Sequence, residues 1–143
     1  MDRLDILKSD FFEGKKDKAA YIEQMYRYHA MLFEYARFIP NTNISAIEIS
    51  DGEVIMTFRD SGIRFICVEG DRRLAPFDTL NFNGYELSEL EMQRKLTGEH
   101  DIILDIGANL GWYALHVARS GPECRILSFE PIPSSFVFLN RNI

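Results

Sequence analysis

Cysteine is scarce in the 143-residue chain: there are only two, Cys67 and Cys124. Their spacing matches no metal-binding motif, and both stand in apolar, strand-like contexts, so buried free thiols are the expected reading. Long hydrophobic runs are also missing. No stretch approaches the roughly 18 apolar residues of a membrane span, and Met1-Asp2-Arg3-Leu4-Asp5 lacks the basic and apolar regions of a secretory leader. No membrane partner is therefore expected, and a cytoplasmic location follows as the default. Basic charge is in deficit, with 16 Lys and Arg against 22 Asp and Glu, a net charge of −6 and a pI near 5.1. That balance argues against a nucleic-acid backbone as partner. A nucleophile elbow, a metal-binding histidine pair on a helix, a phosphate loop with its lysine and internal repeats are all absent.

What is present suffices for a globular core: 46% of residues are hydrophobic and 13% aromatic, in a chain of about one domain. Residues 1–42 read as a helical segment. From Asp17 to Phe38, apolar positions recur at three- and four-residue steps, and Pro40-Asn41-Thr42-Asn43 ends the helix. Tyr26, Tyr28, Phe33 and Phe38 add more aromatic surface than one helix face covers. Packing into the core is the expected use of that surface; a cap over the sheet or a subunit contact would also use it.

Residues 43–70 change period and read as a small antiparallel meander. Ile44 to Ile49 alternates, Asp51-Gly52 is a tight-hairpin signal, and strands over 54–58 and 63–68 follow. Residues 71–143 form the third part. Asp71 to Pro76 reads as a linker whose two arginines suit a solvated turn. Asn83-Gly84 then breaks the chain before a polar helix over 85–96 that stops at Gly98.

The third part is organised around Ile102-Ile-Leu-Asp-Ile-Gly-Ala-Asn-Leu-Gly111 and Arg125-Ile-Leu-Ser-Phe-Glu130. The run Ile102, Ile103, Leu104 shows no alternation, as expected of a parallel strand covered on both faces. Asp105 places a carboxylate at the strand's carboxyl end, where open α/β sheets bind ligands. Gly107 and Gly111 permit backbone angles or approaches a Cβ would forbid. A helix from Trp112 to Arg119, stopped by Gly121-Pro122, leads to a second strand ending in Glu130, nineteen residues after Gly111. A carboxylate there is placed to accept both hydroxyls of a ribose. The pattern Asp-x-Gly-x-Asn-x-Gly lacks the second glycine of the dinucleotide fingerprint, which disfavours a nicotinamide dehydrogenase. An anion beside the turn would repel a pyrophosphate and suit a cationic ligand such as a sulfonium or an ammonium, and S-adenosylmethionine carries both with a ribose.

Leu104 to Gly111, together with Phe129-Glu130-Pro131-Ile132-Pro133, resembles the FkbM-type family of S-adenosylmethionine-dependent methyltransferases, with Gly84-Tyr85-Glu86 as a weaker upstream echo. The family commonly has Asn where Ile132 stands. The resemblance implies an α/β fold, the first βαβ portion of a doubly wound Rossmann-like sheet behind a variable N-terminal extension. It further implies S-adenosylmethionine as cofactor, with Asp105, Gly107, Asn109 and Gly111 on the methionine and ribose side, Glu130 on the ribose hydroxyls, Ile132 against the adenine and Glu86 near the turn. O-methyl transfer to a small-molecule or glycan acceptor is implied with it. Family members continue for roughly another hundred residues, so the chain is expected to be a truncated part of such a domain, inactive alone, and no catalytic residue is assigned. The competing reading is a degenerate, non-catalytic domain acting as an interaction module, self-associating through an exposed sheet edge or the aromatic N-terminal helix.

Overall fold

The computed structural model describes residues 2–72, 75–120 and 123–143, with only the backbone of Ser120. The chain divides into two compact units, 1–38 and 39–143.

The first unit is a helix pair, α1 (Arg3–Phe12) and α2 (Lys18–Phe38). Gly14, at φ +75°, reverses the chain between them. Asp17 caps α2 by accepting the Ala20 N–H at 2.9 Å. Phe11 stacks on Tyr21 with ring centroids 4.6 Å apart. The expectation that the aromatics of α2 enter a core is not met, because α2 carries no buried residue. Ile22, Tyr26 and Phe33 lie along one stripe and Tyr28, Met31, Tyr35 and Phe38 along another, and all are exposed. A ten-residue α1 can cover only part of such a perimeter.

The second unit begins with a 3₁₀ turn (Ile39–Asn41) and the meander β1 (Ile44–Ser50), β2 (Glu53–Phe58) and β3 (Arg64–Ile66), antiparallel in that order. Asp51 and Gly52 both have positive φ, 51° and 78°, as a type I′ hairpin requires. Helix α3 (Ala75–Phe82) begins within the last two residues of the expected linker and runs through 77–82, to which the sequence reading assigns no element. Pro76 falls in its first turn, where a missing N–H costs nothing. The polar helix is α4 (Leu87–Leu96), starting two residues later than expected. Then come β4 (Ile102–Ile106), α5 (Trp112–Ser120), β5 (Arg125–Phe129) and α6 (Pro133–Asn142). Strands β4 and β5 pair in parallel, with Leu104 opposite Leu127. The fold is thus mixed α/β with one antiparallel and one parallel sheet; the stop expected at Gly121-Pro122 lies outside the described residues.

One expectation about β4 is corrected. Its burial alternates instead of being uniform, with Ile102, Leu104 and Ile106 exposed at 66, 57 and 80%. No described element covers that face. The cysteines are free thiols, but half-buried rather than buried; burial still pushes the Cys67 thiol up to about 11.

The meander and the βαβ segment share one core. Ile44, Met56, Phe58, Ile63 and Phe65 cluster with Ala75, Leu80, Leu110 and Trp112. Trp112 is edge-on to Phe58 at 5.1 Å and to Phe65 at 6.1 Å. Asn142 locks the arrangement from α6: its Oδ1 accepts the Ile66 N–H at 3.0 Å, and its Nδ2 donates to the Leu110 carbonyl at 2.9 Å. Arg141 pairs with Glu53 beside it.

Candidate functional site

The turn after β4 is knitted to the end of β5. The N–H groups of Gly107 and Ala108 donate to the Phe129 carbonyl at 2.8 and 3.0 Å, and Gly111 N–H donates to Ala108 O at 2.8 Å. Glu130 completes the lattice: Oε2 accepts the Asn109 N–H and Oε1 the Ile132 N–H, each at 2.8 Å. Asn109 takes the left-handed φ of 49° that an asparagine tolerates better than most residues. A carboxylate has about four lone-pair sites, so two remain on Glu130 for a ligand's hydroxyls.

The two glycines have different work. A Cβ at Gly107, φ +81°, would meet nothing within 4 Å, so the backbone there is open to a ligand. A Cβ on Gly111, φ +94°, would come within 3.0 Å of Leu139 Cδ1 and 3.5 Å of Ile143 Cγ1. Its bare backbone makes room for α6. Ile132, at the N-cap of α6, is 56% exposed.

Asp105 is the electrostatic centre of the turn. Its Oδ2 is buried and meets no hydrogen-bond donor among the described residues. Burial raises its carboxyl above the ordinary carboxylate range. A partly desolvated carboxylate with one unsatisfied oxygen is costly at neutral pH, and a cationic or donor ligand would offset that cost. The raised value means the folded state binds this proton more tightly than the unfolded chain. Its contribution to stability is therefore full below the unfolded value and is lost as pH rises through the raised one. Asp105→Asn is expected to raise stability modestly near pH 7, since it removes the charge whose burial is disfavoured. Thermal melts across pH 4 to 7 should show that advantage shrinking toward acid; a variant less stable than the parent at neutral pH would refute the unpaired charge.

Glu86 lines a cavity together with Gly107 and Asn109 of the turn. It is the N-cap of α4 with φ 47°, ψ 45°, and its side chain does not cap its own helix. Its Oε2 instead accepts the Tyr113 hydroxyl at 2.5 Å. Phe65, Tyr85, Glu86, Gly107, Asn109 and Tyr113, with Trp112, line a cavity of about 180 Å³. The Trp112 indole N–H is buried and meets no partner among the described residues. Desolvation, reinforced by the Glu86 carboxylate, pushes the Tyr85 phenol up to about 12, and the same two causes raise Tyr113. A larger cavity of about 610 Å³, lined by residues including Asp60, Leu90, Arg94, His116 and Arg119, contains none of the residues singled out from sequence. The smaller cavity is the candidate site because Glu86, Gly107 and Asn109 line it; Asp105, Gly111, Glu130 and Ile132 are not among its lining residues. Reading the sequence misses Tyr113 and Trp112; their only signal is an aromatic pair directly after the second glycine of the turn. No cluster of three metal-ligating side chains occurs among the described residues, and no helix among them is long and apolar enough to cross a membrane.

Short segments of the chain match methyltransferases. One is 44% identical over 41 residues to Methyltransferase sdnD of Sordaria araneosa, covering 29% of this chain and 16% of that protein. Another is 38% identical over 45 residues to Methyltransferase 1 of Beauveria bassiana, covering 32% of this chain and 18% of that protein. A 31-residue segment is 42% identical to the AMB antimetabolite synthetase AmbE of Pseudomonas aeruginosa, 22% of this chain and 2% of that one. No family model matches the chain, and no solved structure matches it. The two fungal matches support a methyltransferase relationship.

Proposed function

We propose that the chain carries the methyl-donor-binding front of an FkbM-type methyltransferase, binding S-adenosylmethionine, and that the protein acts by O-methyl transfer to a small molecule or glycan. The observation that carries this reading is half-buried Asp105, one oxygen of which is buried without a partner among the described residues, two positions before the open backbone of Gly107, with Glu130 fixed on the same turn. These residues fit the group: Asp105 lends negative charge to a cationic ligand, Glu130 offers its two remaining lone pairs to ribose hydroxyls, and Ile132 presents an exposed apolar side chain to a base. The sulfonium supplies an already activated methyl when bound. The chain's own residues hold and orient it, lowering the entropic cost of aligning acceptor, carbon and sulfur. Calorimetric titration of S-adenosylhomocysteine tests the reading; a folded chain that binds neither that compound nor 5′-methylthioadenosine would refute it.

A second reading, an interaction module that pairs with its own copy, is favoured by a separate observation. One edge of β4 pairs with β5 and the other with no described strand, while Ile102, Leu104, Ile106 and, on β5, Phe129 are exposed. Concentration-dependent dimerisation is expected by sedimentation, with Ile106→Lys shifting the protein to monomer. A parent chain that stays monomeric at high concentration would end this reading.

A further inference from the structure

Helix α2 is 21 residues long and carries no buried residue. A helix that is apolar round most of its circumference is stable only when covered, and the ten-residue α1 covers part of it. At about 100° per residue, Glu23, Arg27, Glu34 and Arg37 fall within one stripe about 80° wide. Directly beside that stripe runs a seam of Ile22, Tyr26, His29 and Phe33, all exposed. Ile22, Tyr26 and Phe33 are each more than half exposed. An apolar seam bordered by charges is the pattern of a helix that packs against another helix and pairs its flanking charges across the joint.

The order of those charges is a second observation. Along the chain it runs acid, base, acid, base; within the helix Arg27 pairs with Glu23 at 3.1 Å and Arg37 with Glu34 at 2.5 Å. Read in reverse it runs base, acid, base, acid. Two copies laid antiparallel about a two-fold axis keep their charged stripes on the same border of the seam, so each charge faces its opposite. One register sets Glu23 opposite Arg37 of the second copy, Arg27 opposite Glu34 and Tyr26 opposite Phe33, each pair occurring twice by symmetry. Parallel copies would put the two stripes on opposite borders of the seam, where they do not meet. The other apolar stripe of α2 does not match itself in this register, which would set Tyr35 opposite Met25 and Met31 opposite His29. Lys18, in the first turn, falls past the overlap of the two helices. Antiparallel packing also sets the two helix dipoles against each other favourably.

We infer that α2 is a homodimerisation helix: two copies of the chain pair antiparallel along Ile22, Tyr26 and Phe33, with Glu23–Arg37 and Arg27–Glu34 pairs between copies fixing direction and register. A foreign partner needs neither a self-complementary charge order nor aromatic side chains that meet in the same register, and a second copy uses both. Exposed ion pairs are individually weak, so the aromatic seam supplies the affinity and the charges select the orientation. The surface shares no residue with the free edge of β4 or with the glycine turn.

Sedimentation of the full chain over a range of concentrations tests the inference. The parent is expected to dimerise, and Tyr26→Lys combined with Phe33→Lys to leave it monomeric. Glu23→Arg combined with Arg27→Glu makes every facing pair alike in charge and should weaken the dimer by about tenfold or more. Glu34→Arg combined with Arg37→Glu should do the same. Mixing these two double variants restores opposite charges at all four pairs, so the mixture is expected to dimerise as tightly as the parent. Ile106→Lys should leave the dimer intact, which distinguishes this surface from the sheet edge. Each charge variant keeps an ion pair within its own helix, reversed in direction, and circular dichroism checks that α2 still forms. A parent that stays monomeric throughout overturns the inference, as does a dimer that Ile106→Lys dissolves and the Tyr26 and Phe33 substitutions do not. Charge variants that dimerise like the parent, or a mixture no tighter than either variant alone, would overturn the antiparallel register.

Discussion

Glu130→Ala is expected to destabilise the 39–143 unit by about 2–4 kcal/mol and to abolish nucleoside binding in the same step. The stability loss follows from the two amides that the carboxylate accepts, Asn109 N–H and Ile132 N–H at 2.8 Å each. A hydrogen bond to a charged group contributes about 1.5–3 kcal/mol, and a half-buried site recovers part of that from water. Alanine would leave both amides without an acceptor at the point where the turn, the end of β5 and the start of α6 meet. Glu130→Gln separates the two roles. Its single amide oxygen can serve one N–H while its NH₂ faces the other, so an intermediate stability loss is expected, with ligand affinity falling further than stability does. Urea unfolding followed by fluorescence measures the first quantity, since the chain contains one tryptophan and Trp112 lies in the shared core. An Ala variant with the parent's midpoint and slope would show that these two bonds contribute nothing to the fold.

Local chemistry was legible in the sequence where the chain speaks to its near neighbours. The Asp51-Gly52 hairpin, the strand over Ile44–Ile49, and the order of strand, turn, helix and strand around Asp105 and Glu130 all depend on residues a few positions apart, and the structure has these elements. Three features could not be read that way. Pro76 looks like a breaker unless the helix is known to start one residue earlier, so the start of α3 reads as the end of a linker. The run Ile102-Ile103-Leu104 is apolar at every position, which leaves open how many faces are covered; only the three-dimensional arrangement shows Ile102 and Leu104 exposed beside a half-buried Ile103. Contacts distant in sequence left no local mark at all. Asn142 reaches Ile66 across 76 residues, and Glu86 reaches Tyr113 across 27. Gly111 is an instructive mixture: its need for a bare backbone is written in the sequence, yet what fills the space is Leu139 from α6.

Phe58→Ala is expected to cost about 3–5 kcal/mol, the range for truncating a fully buried aromatic, and against a typical stability of about 5–15 kcal/mol this would leave the unit near its unfolding threshold. Phe58 is 1% exposed, at the end of β2, and its ring meets Phe65, Trp112 and His116 at centroid distances of 6.2, 5.1 and 6.4 Å. Those partners belong to β3 and to the helix that begins directly after Gly111. Phe58 therefore belongs to the meander by sequence and supports the glycine turn by contact. If the meander were an appendage, its loss would leave Trp112 in its native surroundings. The shared core requires the opposite: far-UV ellipticity and Trp112 fluorescence should change together in one transition, at lower denaturant than in the parent chain. Phe58→Leu, which keeps most of the buried apolar volume, should recover more than half of the loss. Two separate transitions in the alanine variant, with Trp112 reporting only the later one, would place the turn on a foundation independent of the meander. A single coupled transition would make residues 44–66 the floor on which Trp112, and through it the glycine turn, is held.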